Sequence, residues 1–145
     1  MFKIFKKQWS WLSEIYPYAR AAYSSGKSLT RVKKGSASYS TNSILLFSTM
    51  KNEGHRLAFF LDYYRRLGVD HFFIADNGST DNTTALLAEQ PDVTHYYTKG
   101  SYKDSNFGMH WLNNLLFRYG RGHWCFTCDP DEFFVYPHME TRDLR

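Results

Sequence analysis

The sequence predicts an α/β domain whose strands run mostly parallel. Three observations predict it. Four short apolar runs of strand length recur along the chain, segments with helical periodicity lie between them, and clusters of polar residues follow the runs. Alternating strand and helix is the pattern of βαβ units, whose crossovers are right-handed and whose sheets are covered by helices on their faces.

The elements follow in order. Ile44 to Ser48 (ILLFS) is an unbroken apolar run, as expected of a strand buried on both faces. Asn52 to Gly68 reads as a helix. Leu57, Phe60, Leu61 and Tyr64 fall at i, i+3, i+4 and i+7, Asn52 is the expected cap, Glu53 sits in the first turn, and Gly68 ends it. His71 to Ala75 (HFFIA) is the second strand. After the polar loop DNGSTD comes a short helix, Asn82 to Glu89, with Asp81 or Thr80 as cap and Pro91 beyond its end. Val93 to Tyr97 is the third strand. Ser105 to Tyr119 returns to helical period, with Leu112, Leu115, Leu116 and Tyr119 on one face and Gly120 and Gly122 as stops. Trp124 to Cys128 is the fourth strand.

At 145 residues the chain holds one ordinary domain, and an apolar content of 43% with 19% aromatics supplies a core. The net charge of +4 is unevenly placed. Residues 1–40 carry eight Lys and Arg against Glu14, whereas residues 41–145 carry ten against thirteen acids. Residues 1–43 are therefore read as a basic tail closed by the polar linker SASYSTNS, and residues 44–145 as the domain. In the tail, Lys3, Lys6 and Lys7 alternate with Phe2, Ile4, Phe5, Trp9 and Trp11. It is read as a solvated tail docking a few aromatics on its domain; the alternative is a short helix making peripheral contact with anionic lipid. No apolar run is long enough to cross a bilayer, no secretory signal is present, and no nucleic-acid motif accompanies the charge. The expected location is cytoplasmic, with the inner face of the membrane as the site of any lipid contact. Cys125 and Cys128 lie on opposite faces of a strand, which argues against a disulfide or zinc pair; they are read as reduced core residues.

The polar clusters carry the chemistry. TMKNE, DNGSTD and DPDE follow the first, second and fourth strands, and in a parallel sheet such strand ends form one rim where ligands bind. Asp129 and Asp131 stand two apart, so on an extended chain they face the same way. Pro130 between them ends the ladder. Two such carboxylates at an open rim suit a hard divalent cation, Mg²⁺ or Mn²⁺, with water and substrate phosphates completing its shell; a solvated turn whose acids serve solubility is the competing explanation. Glu132 points away and is placed to pair with a base or cap an amide. Asp76 ends the second strand, where a carboxylate could accept a hydrogen bond from a base or ribose; an ordinary Asx turn is the competing explanation of DNGST. Glu53 and Asn52 also have a plain reading as helix-starting residues. The six histidines show no metal-ligand spacing, and neither a P-loop nor a dinucleotide-binding glycine motif occurs.

KNEGHRLAFFLDYYRRLGVDHFFIADNGSTDNT, followed by HWCFTCDPDEFFVYP, resembles the family 2-type glycosyltransferases with a GT-A fold, and specifically the bacterial branch with a D-x-D-E-F signature. The resemblance covers about residues 44–145. It implies a GT-A-like, Rossmann-like sheet and a metal-dependent transfer from a nucleotide-diphosphate-sugar, a UDP-sugar first of all, to a glycan or other hydroxyl acceptor in polysaccharide synthesis. Carried over by motif, Thr49, Asn52 and Glu53 border the base and ribose, Asp76 contacts the base, Asp129 lies near the ribose or sugar, and Asp129 and Asp131 hold the metal. Asn113 or Asn114 is a further candidate facing the donor. The resemblance also implies a second, acceptor-binding half with a carboxylate general base, expected beyond Arg145. The chain thus reads as the donor-binding half, with METRDLR opening a further helix and no catalytic base of its own. Two other functions use the same residues: a non-catalytic or partner-completed nucleotide-sugar-binding module, and a metal-dependent phosphoesterase.

Overall fold

A computed structural model describes residues 3–142 and 144, with backbone only for residues 3–14. Met1, Phe2, Asp143 and Arg145 lie outside the described residues. The fold is α/β, built on a five-stranded sheet in the order β1-β4-β3-β2-β5. The strands are β1 (Thr30–Lys33), β2 (Ile44–Met50), β3 (Val69–Asp76), β4 (Val93–Tyr97) and β5 (Trp124–Thr127). β2 pairs in parallel with both β3 and β5, and β3 with β4, so the four strands read from sequence form one parallel sheet. β1 is antiparallel to β4 at the far edge.

Alternation along the strands supplies a core on each face. Ile44, Leu46, Phe72 and Ile74 pack with Leu57, Phe60, Leu61 and Tyr64 of α2 (Gly54–Arg66) and Leu87 of α3 (Thr83–Glu89). These are the four α2 positions the helical period selected. Leu45, Phe47, Phe73 and Ala75 pack instead with Trp111, Leu112 and Leu115 of α4 (Met109–Leu115). Every residue of β2 is buried, because helices cover this interior strand on both sides.

The departures are local. The third helix is shorter than its periodicity suggests. Residues 101–107 form a loop, α4 starts after Gly108 in a left-handed conformation, and the last turn, Leu116–Gly120, widens to a π-helix. Residues 1–43, read as tail and linker, contain two elements. α1 (Lys3–Gly26) packs its C-terminal end on α4, and β1 extends the sheet. Lys33 explains part of the basic character: its ammonium reaches the carbonyls of Leu87 and Gln90 at the end of α3, where the helix leaves acceptors unpaired. Cys125 and Cys128 are both free, as expected, but Cys125 is exposed rather than in the core. Residues 137–141 form a turn, where METRDLR had suggested the start of a helix.

α2 is fastened to the sheet by more than apolar contact. Arg65 near its end donates two hydrogen bonds to Asp92, at 2.7 and 2.6 Å, and a third to Gln90 at 2.9 Å, tying α2 to the entry of β4. Leu46, on the interior strand β2 and fully buried, tests the packing itself. Leu46→Ala should lower unfolding free energy by about 2–5 kcal/mol, while Phe117→Ala, a truncation of a side chain 87% exposed, should change it by less than about 0.5 kcal/mol. Denaturant melts of the two variants measure the difference.

Candidate functional site

A cleft of about 440 Å³ opens at the carboxyl ends of the strands, lined by Thr49, Met50, Lys51, Glu53, Asn77, Tyr102, Asp129, Pro130 and Asp131. Its position follows from strand lengths. β5 pairs with β2 only from Ile44 to Phe47, while β3 accompanies β2 as far as Met50. Ser48, Thr49 and Met50 therefore have no β5 residue beside them, and the chain after Thr127 turns away. The chain order also reverses here. From β2 it steps through β3 to β4 on one side, then returns to lay β5 on the other. The carboxyl end of the sheet at such a switch point is where open α/β sheets bind ligands.

The turn that carries the two acids is built from its own residues. Glu132 N–H donates to the Asp129 carbonyl at 3.0 Å, and Glu132 Oε2 accepts from Asp129 N–H at 3.2 Å. Glu132 thus caps an amide, as expected, and Pro130 occupies a turn position that suits its fixed φ. Asp129 and Asp131 share the cleft because the chain turns between them, rather than through strand alternation. Tyr64, buried on α2, holds the loop from beneath: its hydroxyl donates to Glu132 O at 3.1 Å and accepts from Phe134 N–H at 3.2 Å. Burial, then the nearby charges of Glu132 and Asp131, raise the Asp129 pKa above its ordinary value.

Thr49 and Glu53 are the other expected residues in the cleft. Thr49 Oγ1 is buried without a hydrogen-bond partner. Glu53 caps the start of α2 with its backbone, and its N–H donates to Thr83 Oγ1 at 2.9 Å. Its Oε2 lies 3.0 Å from Arg56 Nε but is buried with no aligned hydrogen bond, so the contact is an ion pair only. The same guanidinium stands 3.8 Å from the exposed Asp131. One arginine thereby spans two acids of the cleft, at distances and exposures that make the Asp131 contact weak.

Asp76 and Asn52 do not line the cleft. Asp76 is fully buried: Oδ1 accepts from Ser79 N–H and Oδ2 from the Thr84 hydroxyl, each at 2.8 Å. It is the acceptor of the Asx turn that starts the loop, so the carboxylate expected to reach a nucleobase is engaged inside the fold. Asn77 takes the rim position instead. Its N–H donates to Met50 O at 2.8 Å and its side-chain amide to Gly100 O at 2.9 Å. Asn52 does not cap α2 through its side chain. It adopts a left-handed conformation with φ 58°, and its Oδ1 accepts from Thr80 N–H at 2.7 Å, joining the β2 and β3 loops. Asn113 and Asn114 line a different groove, against α1.

Besides Met50, three lining residues with polar groups escaped the sequence reading. Lys51 and Asn77 sat inside the rim clusters but had no pairing pattern to single them out. Tyr102 comes from the loop that replaces the first turns of the expected helix. Gly108, with φ 82°, lets that loop close: a Cβ there would lie 3.0 Å from Thr49 Oγ1 and 3.1 Å from the Tyr102 ring.

As a cation site the donor set is open. Among the described residues no group of three or more His, Cys, Asp or Glu is arranged to hold a metal. Two carboxylates facing a cleft fit an ion that keeps several waters and takes phosphate oxygens, which is how Mg²⁺ is commonly held. No protein-family model matches the chain, and no curated protein matches it.

Asp76 yields a pH test. Burial alone would raise its pKa, but His95 nearby, Ser79 and Thr84 outweigh burial and bring it from 3.8 to about 2. A carboxylate depressed by folding adds stability that is full above pH 4 and lost as pH falls toward 2. The contribution is roughly 2 kcal/mol. Asp76→Asn should be less stable at neutral pH and lose the part of the wild-type acid dependence between pH 4 and 2, as read from denaturant midpoints across that range.

Proposed function

We propose that the chain is a GT-A-like nucleotide-sugar-binding unit of a metal-dependent glycosyltransferase, acting on a nucleotide-diphosphate-sugar such as a UDP-sugar with a glycan or other hydroxyl as acceptor. The observation that carries the proposal is the cleft at the switch point. There Asp129 and Asp131, two acids of the D-x-D-E-F signature, meet Thr49 and Glu53 of the first rim cluster, and one buried oxygen, Thr49 Oγ1, has no hydrogen-bond partner. Orphaned polar atoms on a cleft wall are costly unless a ligand or water satisfies them.

The roles follow from chemistry. Asp129 and Asp131 would hold Mg²⁺ or Mn²⁺, which when bound would offset the charge of the donor's diphosphate. Lys51 brings a second positive charge to the same cleft. Thr49 and Asn77 offer polar groups to ribose or base, and Glu53 offers a carboxylate acceptor. Asp76 supports the site indirectly, by fixing the turn from which Asn77 emerges.

Arg56 bears on the rival reading. A side-chain cation already close to Glu53 and Asp131 is what a module binding its ligand without metal would have. Calorimetry with UDP separates the two. The transferase reading expects binding that requires Mn²⁺ or Mg²⁺ and weakens at least about tenfold in Asp131→Ala, with a smaller loss in Thr49→Val. UDP binding that persists in a chelator and is equal in wild type and Asp131→Ala would leave the non-catalytic module. Release of phosphate from a simple phosphoester, without acceptor and dependent on Asp131, would indicate the phosphoesterase.

A further inference from the structure

We propose that α1 is a membrane-surface helix that lays the domain on an anionic phospholipid bilayer, independently of what the cleft binds. The helix runs 24 residues, Lys3–Gly26. By the helical period, positions 4, 5, 9, 11, 12, 15, 16, 18, 19, 22 and 23 share one half of its circumference. In sequence these are Ile, Phe, Trp, Trp, Leu, Ile, Tyr, Tyr, Ala, Ala and Tyr, and Gln8 falls on the same half. The opposite half carries Lys3, Lys6, Lys7, Ser10, Ser13, Pro17, Arg20 and Ser24, with Glu14 as its one acid. All charges of the helix thus fall on one half and its aromatics on the other, as in a helix that lies at a boundary between apolar and polar media.

The domain does not use up the apolar half. Of the described side chains on it only Ala22 is buried, whereas Ile15, Tyr16, Tyr18 and Tyr23 are each more than half exposed. Phe117 of the π-helical turn, 87% exposed, lines the same shallow groove as Ile15, Tyr18 and Tyr23, so the apolar surface continues from α1 onto the domain. A contiguous exposed patch of this kind marks an interaction surface.

Composition and charge identify the occupant. Trp and Tyr dominate the apolar half, and their rings, apolar with one polar tip, are the side chains that favour the headgroup level. Residues 1–40 hold eight basic residues against Glu14, which complements an anionic leaflet. The same charge opposes symmetric pairing of two copies through this helix, since like-charged segments would then face each other. No helix among the described residues is long and apolar enough to cross a membrane, so the contact lies along the surface.

Co-sedimentation of the full chain with vesicles tests the proposal. Vesicles of phosphatidylcholine with phosphatidylglycerol should carry the protein down at low salt, vesicles of phosphatidylcholine alone should not, and rising salt should release it. The triple variant Lys3→Glu, Lys6→Glu, Lys7→Glu should partition at least about a hundredfold less. Trp9→Ala with Trp11→Ala should also weaken binding. A thermal melt matching wild type confirms that each variant is folded. The proposal is overturned if the wild type ignores anionic vesicles, or if charge reversal leaves partitioning unchanged. It is equally overturned if light scattering shows a dimer that the Trp variant dissociates while vesicles stay unbound.

Discussion

The structure depends on β2, a strand enclosed on every side. β3 and β5 pair with its two edges, and helices cover its two faces, so all seven residues from Ile44 to Met50 are buried. A parallel strand so enclosed has a single tolerable register, because a shift of one residue would exchange Leu45 and Phe47 with Leu46 and Ser48 between two different cores. Register in turn decides where β2 ends relative to its neighbours. It outlasts β5 and keeps pace with β3, and the cleft is the space that this mismatch leaves. The position of the candidate site is thus a consequence of core packing some distance below it.

Acids at the rim serve two ends that burial separates. Asp76 is enclosed and accepts bonds from Ser79 and Thr84. Removing water from an ionised carboxylate is tolerable only when other donors replace it, and here they more than do so. Asp129 and Asp131 sit on an exposed turn with few donors, where partial burial and then the charges of Glu132 and Asp131 make ionisation of Asp129 harder. Such a pair is poorly matched to its own protein and better matched to a cation. Rigidity is nonetheless supplied from below, since Tyr64 bonds Glu132 and Phe134 from the last turn of α2. The helix that fills one core also fixes the turn that carries the acids.

Aromatic residues serve different physical ends in different parts of the chain. Phe47, Phe73 and Tyr119 stack through one core, with ring centroids 5.0 and 4.5 Å apart. Tyr63 and Tyr64 bind the acidic loop through their hydroxyls. Tyr16, Tyr18 and Tyr23 of α1 remain exposed beside the turns that rest on the domain. The aromatic content is therefore divided between packing, anchoring and surface.

Much of the architecture was legible in the residues. Helical spacing of Leu57, Phe60, Leu61 and Tyr64, and the unbroken ILLFS run, depend on local periodicity, which survives without knowledge of the partner surface. Rim clusters at TMKNE and DPDE were legible for the same reason, because parallel strands bring their carboxyl ends together whatever else they do. What tertiary structure alone decided was where each polar group spends its hydrogen bonds. Asp76 and Asp129 look alike in sequence, yet one is buried among donors and the other faces an open cleft. Tyr102 enters that cleft only because Gly108 permits a left-handed turn before α4, and β1 exists only because β4 offers an edge to pair with. Periodicity is a property of neighbours along the chain, whereas burial and hydrogen-bond satisfaction are settled by residues dozens of positions away.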